Sequence, residues 1–175
     1  MEYYCMMVLT GEEKAFKEKA TEELQKDFPS VRFYFFERKL FTKKRGWFDA
    51  PLFPGYLFVS IEKLTPDFYS ELKKQKGFYR LLPENKNPQS LKGDVLEELK
   101  LFIQKGEHWG ISRLTFSPGQ QVKVVSGPLA GLEGNIVMVN KKRRQITVQS
   151  SITGSALKFD LKYEEAESSA PTPTN

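Results

Sequence analysis

A chain of 175 residues has room for one ordinary domain or two small ones, and its 39% hydrophobic content can supply compact cores but no apolar run near the ~20 residues that span a bilayer. One cysteine and one histidine exclude an internal disulfide framework, a multi-cysteine zinc site and any histidine-based triad. The net charge of +5 leans toward polyanionic partners, and an opening Met1-Glu2-Tyr3-Tyr4-Cys5 with neither a basic start nor a long apolar run points to a soluble, cytoplasmic protein.

Tyr3 to Leu9 is almost wholly apolar, the pattern of a central strand covered on both faces, with Cys5 as a small buried residue. Thr10-Gly11-Glu12-Glu13 has capping-box form. Behind it Phe16, Ala20 and Leu24 recur every four residues on a charged helix that Pro29 cannot continue. Val31 to Leu40 reads as one strand, and Lys43-Lys44-Arg45-Gly46 as a hairpin tip. Gly55 to Ile61 is another strand. Thr65-Pro66 starts a second helix with Phe68 and Leu72 inward, ending at Gly77. Phe78 to Leu82 is a fourth strand, and Leu91, Val95, Leu99, Phe102 and Ile103 mark a third helix stopped by Gly106. The order β-α-β-β-α-β-α predicts an α+β sandwich with a largely antiparallel sheet.

Residues 106–116 carry little pattern and are expected to be a linker between a domain at 1–105 and a second at 117–164. There the texture changes to short strands at Val122–Val125, Gly134–Val139, Ile146–Ser150 and Ala156–Phe159, a small β-barrel. From Phe116 to Tyr163 seven basic residues face two acidic ones, so the excess of charge lies in the barrel. Residues 165–175 have the composition of a disordered tail.

Two segments carry a resemblance. Gly119-Gln-Gln-Val-Lys-Val-Val-Ser-Gly127-Pro128-Leu-Ala-Gly131-Leu-Glu-Gly134-Asn-Ile-Val is similar to a KOW motif: Val122 and Val124 alternate inward, Gly127-Pro128 opens a turn, and Gly131 and Gly134 suit positive φ or close approach. Pro51-Leu52-Phe53-Pro54-Gly55-Tyr56-Leu57-Phe58-Val59 resembles the amino-terminal domain of the NusG/Spt5 family of transcription elongation factors. Together they span roughly residues 2 to 163 in the family's order.

The resemblance implies an NGN domain that binds the coiled-coil clamp helices of the largest subunit of bacterial RNA polymerase through an apolar patch. Carried over, that patch is Met7, Phe53, Tyr56 and Phe58, and Tyr56 and Phe58 share a parity on their strand. Phe68 and Tyr69 fall where family members touch a polymerase loop across the channel. Leu52 and the Gly-Pro-Leu-Ala-Gly-Leu-Glu-Gly stretch look more like a specialised antiterminator of the LoaP group than a housekeeping factor. Housekeeping members use a loop aromatic to recruit Rho or ribosomal protein S10; here Thr153 stands at that place, which argues against both. The β-branched strands of 119–150 favour a stable barrel over the helical refolding of the RfaH branch.

For nucleic acid, Lys141, Lys142, Arg143 and Arg144 form a basic tip between two strands, with Lys123 nearby in sequence. The first domain offers Arg38, Lys39, Lys43, Lys44 and Arg45. Clustered cations track a phosphate backbone, RNA hairpin, nascent RNA or non-template DNA, and arginine adds bidentate contacts. The chain carries no phosphate-binding loop, nucleophile elbow, metal-ligand set or cofactor motif, so no catalytic residue, metal or cofactor is expected. Two alternatives stand beside the antiterminator: a housekeeping factor bridging polymerase to Rho or S10, and a stand-alone RNA-binding KOW protein of ribosomal type, which leaves the first hundred residues without a role.

Overall fold

The computed structural model describes residues 1–167, and residues 168–175 of the expected disordered tail lie outside them. Strand β1 (Glu2–Val8) runs through the middle of a four-stranded sheet in which every pairing is antiparallel. Its neighbours are β5 (Tyr56–Ile61) and β6 (Phe78–Leu81), and β2 (Arg32–Tyr34) lies outside β5. Side chains alternate along a strand. Tyr4, Met6 and Val8 of β1 and Leu57, Val59 and Ile61 of β5 therefore enter one core, under α1 (Glu13–Leu24) and α2 (Pro66–Lys73). Cys5 and Phe58 enter a second core on the opposite face. The near-continuous apolar reading of β1 reflects this double coverage.

Both helices bury the expected stripes, Phe16, Ala20 and Leu24 on α1 and Phe68 and Leu72 on α2. Thr65 caps α2, its Oγ1 accepting from the Phe68 amide at 3.2 Å. The expected capping box at Thr10–Glu13 does not form. Glu13 is buried, and its carboxylate accepts from the amides of Gly11 at 2.8 Å and Gly55 at 2.6 Å. A buried carboxylate is tolerated when both oxygens are paired, and this pairing ties the Pro54-Gly55 turn to the start of α1. Gly55 has φ +83°, and a Cβ there would stand 2.8 Å from Thr10 Oγ1, so only glycine fits.

The expected single strand at 31–40 is two strands. After β2 the ladder stops because Glu107 takes over its donors: the Phe35 amide donates to Glu107 Oε1 at 2.7 Å and the Glu37 amide to the Glu107 carbonyl at 2.8 Å. Phe35 completes the first core and Phe36 the second. The chain then leaves as a hairpin, β3 (Glu37–Thr42) with β4 (Gly46–Pro51), whose turn is the expected basic tip.

Helix α3 (Gly93–Lys105) ends at Gly106 with φ +87°. The segment expected to be a linker is built into both halves. Strand β7 (His108–Trp109) pairs parallel with β3, and β8 (Ser112–Phe116) opens the barrel. Trp109, Ser112 and Leu114 are its buried anchors. A two-residue strand is too short to show a period, which is why composition alone reads it as patternless.

The barrel sheet runs β10 (Ile136–Asn140), β11 (Gln145–Ser150), β12 (Leu157–Glu165), β8, β9 (Val122–Ser126). Strand β12 extends past the expected end at 159 into the expected tail, pairing parallel with β8, and the Ala166 amide reaches the Leu114 carbonyl at 2.7 Å. Gly127 is the tightest point of the KOW segment: a Cβ would lie 2.6 Å from Ser112 Cα. Gly131 has the expected positive φ and Gly134 does not; it sits in a short 3-10 turn at Glu133–Asn135.

Candidate functional site

The face of β1 and β5 turned away from α1 and α2 is the one expected to dock polymerase. Tyr56 and Met7 are paired across the two strands and half-buried at its rim, and Arg80 Nε lies 3.2 Å from Met7 Sδ. Phe53 and Phe58 are buried, with 2% and 0% of their surfaces exposed. What covers them is α3 and the barrel. Phe53 stacks on Phe102 of α3 at 5.9 Å and 10°, and Phe159 of β12 stands edge-on to Phe53 at 5.5 Å. Trp109 closes the group, 4.7 Å from Phe102 and 6.1 Å from Phe159, its indole N–H donating to the Gly106 carbonyl at 2.7 Å. One core thus runs from Phe36 and Phe58 through this aromatic group into Ile146, Val148 and Leu161 of the barrel. The T-shaped pairs add about 0.5–1.5 kcal/mol each beyond area burial.

Of the other two expected contact residues, Phe68 is fully buried on the inner face of α2, while Tyr69 is half-exposed, its hydroxyl donating to Asn85 and its ring carrying Lys73 at 4.7 Å. Thr153, standing where housekeeping members carry an aromatic, is buried at 4% exposure, and residues 151–155 line a cleft with Cys5, Tyr56 and Arg80.

Glu98 of α3 lies at the same junction, its Oε1 buried without a hydrogen-bond partner. Burial raises its carboxyl pKa above the ordinary 4.5, with partial offset from the Ser150 hydroxyl. A raised folded-state value means the neutral form is the one folding favours, so its contribution is full below pH 4.5 and lost as pH climbs through the raised value. Glu98→Gln is therefore expected to raise the melting temperature at pH 7. The gain should shrink to nothing as the pH is lowered below 4.5, where wild-type Glu98 is itself neutral, and thermal scans at several pH values check this. A gain that persists at low pH would mean packing, not charge burial, sets the difference.

The basic residues divide. Arg38 is at the junction, its Nε donating to the Asp160 carbonyl at 3.1 Å, and burial lowers its pKa against the opposing pull of Asp160. Lys39 pairs with Asp49 at 3.0 Å. Lys43, Lys44 and Arg45 are exposed at the β3–β4 tip, where Arg45 lies 4.0 Å over the Phe48 ring. In the barrel the turn from Lys141 to Arg144 is held by the Arg143 amide donating to Asn140 Oδ1 at 3.0 Å and by Arg144 at φ +48°. Lys142, Arg143 and Arg144 are exposed; Lys141 bends back over Phe116 at 4.6 Å, and Lys123 is exposed on the neighbouring β9.

The two tips meet. Leu40 to Lys43 and Lys142, Arg143, Gln145 and Lys162 line one cleft of about 650 Å³. Phe41, Trp47 and Tyr163 join the same cations, with Ile111 and Glu164, in an adjoining hollow. Sequence reading placed Phe102 on the third helix, Phe159 at a strand end and Lys162 among the barrel's basic residues without a role at the site, and it missed Trp109, Phe41 and Trp47. The alternation Phe159-Leu161-Tyr163 inward against Lys158-Asp160-Lys162 outward was the available signal for a longer β12. Among the described residues no group of three or more His, Cys, Asp or Glu is placed to hold a metal ion, and no helix is long and apolar enough to cross a membrane.

A family model described as "Transcription termination factor nusG" matches residues 1–100, and one described as "KOW motif" matches residues 118–149. The chain belongs to the NusG family. NusG of Helicobacter pylori is 24% identical over 182 residues, spanning 95% of this chain and 98% of that protein. NusG of Thermus thermophilus is 25% identical, spanning 94% and 97%. The solved structure titled "Domain interaction in Thermotoga maritima NusG" superposes with a TM-score of 0.56 at 19% identity, covering 92% of this chain and 93% of that one. It shares the fold: an NGN α/β sandwich followed by a KOW barrel. The match over residues 1–100 removes the stand-alone KOW protein as an alternative. NusG-family factors are non-enzymatic and work with the transcription machinery, with RNA polymerase the implied partner.

Proposed function

We propose that this NusG-family chain is a non-enzymatic, cytoplasmic antitermination factor of LoaP type. It docks on the clamp helices of the polymerase largest subunit through the β1–β5 face and suppresses pausing or termination. One observation carries the reading: Tyr56 and Met7 pair at the rim of an apolar face whose centre, Phe53, is covered by barrel side chains rather than by NGN residues alone. The specialised rather than housekeeping role is supported by Thr153, which offers neither an aromatic nor exposed surface to Rho or ribosomal protein S10. The exposed cations of the 142–144 turn support RNA as the barrel's partner instead.

The test is binding of the chain to isolated clamp helices. Tyr56→Ala is expected to weaken it by about 1–3 kcal/mol, the loss typical of an aromatic interface anchor. Unchanged affinity, or a domain that no longer folds, would assign Tyr56 to packing and remove the docking site.

A further inference from the structure

Two touching aromatics on a hairpin stand exposed beside a ring of cations. Phe41 and Trp47 face each other across β3 and β4, ring centroids 5.4 Å apart, with 44% and 54% of their surfaces in solvent. Scattered exposed apolar residues need no explanation, but a paired patch at the mouth of a cleft does. On the opposite wall stand Lys142, Arg143 and Lys162, and Lys43 comes from the hairpin's own tip. Among the described residues, the single acidic one lining either hollow is Glu164.

The walls are held in place. Lys162 Nζ donates to the Arg143 carbonyl at 2.5 Å, Arg38 bonds across to the Asp160 backbone, and Asn140 fixes the Arg143 amide. Lys162 has its pKa lowered by burial and then by the neighbouring Arg143, so the cations are crowded and an anion between them would relieve the repulsion.

We infer that the β3–β4 hairpin and the barrel turn together form one binding cleft for single-stranded nucleic acid, in which bases stack on Phe41 and Trp47 while Lys142, Arg143 and Lys162 hold the phosphates. This rests on the proposed nucleic-acid role of the barrel turn and adds three things: a second wall from the NGN domain, stacking as the source of affinity, and single strands as the substrate class. A paired duplex hides its base faces, so an aromatic shelf favours unpaired bases, whereas cations alone do not discriminate. Because the walls come from different domains, the cleft exists only while the barrel lies against the NGN domain.

The full chain should be titrated with fluorescein-labelled oligouridine, oligodeoxythymidine and a duplex, each of about a dozen nucleotides per strand. At least one single strand should bind more tightly than the duplex. Which one shows whether RNA or DNA supplies the ligand. Binding should quench tryptophan emission, and the quench reports Trp47, since Trp109 has only 2% of its surface exposed. Trp47→Ala should weaken binding by about fivefold or more, the low end of what a stacked base contributes. Trp47→Phe should keep most of the affinity and lose the quench. Lys142→Ala with Arg143→Ala should also weaken binding. If Trp47→Ala leaves affinity unchanged, or the duplex binds as well as either single strand, the cleft is overturned. The barrel-turn reading survives that result if the lysine–arginine pair still matters, and falls with it if the pair does not.

Discussion

Phe159→Ala is expected to tighten binding to the clamp helices by about tenfold or more while lowering the melting temperature of the whole chain. Removing a buried phenylalanine ring costs about 3–5 kcal/mol in a well-packed core. Here the ring is the barrel's contribution to a group otherwise built from Phe53, Phe102 and Trp109, so much of that loss falls on the contact between the halves. A partner that needs the face uncovered binds with its intrinsic affinity multiplied by the fraction of open molecules. Weakening the closed form by about 1.4 kcal/mol raises a small open fraction tenfold, and the affinity with it. Titration of the clamp helices against wild type, Phe159→Ala and the milder Phe159→Leu measures this. Rising affinity in the order wild type, leucine, alanine supports docking on the covered face. A lower melting temperature with no gain in affinity would place the docking surface elsewhere.

Replacing Lys141, Lys142, Arg143 and Arg144 together with alanine is expected to flatten the salt dependence of RNA binding while leaving polymerase docking intact. Each phosphate contact contributes a log–log slope of about −0.7 to −0.9. Lys141 is turned onto Phe116, so the flattening should come closer to three contacts than four, roughly two to three units of slope. The four side chains are exposed and the turn is held by Asn140 and backbone bonds, so the barrel should fold normally. A salt titration of wild type and variant full chain against the leader RNA of a gene the factor occupies decides the matter. Equal slopes would reduce the turn to an ordinary solvated loop.

The elements with a clean period were legible in the sequence. The four-residue stripe of α1, the Thr65-Pro66 start of α2 and the parity of Tyr56 and Phe58 all carry local information, and the structure builds them as read. What failed depends on distant partners. Glu13 looks like a helix cap until Gly55, far along the chain, supplies a better donor. The break after Tyr34 comes from Glu107, and the patternless stretch after α3 is ordered by pairing with β3 and by the burial of Trp109. The candidate site divides in the same way. Basic runs and a family-like aromatic strand could be seen residue by residue, but the meeting of two basic turns and the covering of Phe53 by Phe159 are properties of how the halves pack.

The strap between the halves limits how they can separate. Trp109 is fastened to the NGN side through β7 and Ser112 to the barrel through β8, which leaves Gly110 and Ile111 as the only slack. Two extended residues reach roughly 7 Å, so with β7 intact the barrel can swivel but not travel. Releasing β7 frees residues 107–111, whose reach is then about 17 Å, still less than the width of a small domain. At that tether length the displaced barrel stays at an effective concentration in the millimolar range beside its former seat. Recapture is then a fast unimolecular event, and any partner that holds the open form must outlast a competitor that never diffuses away.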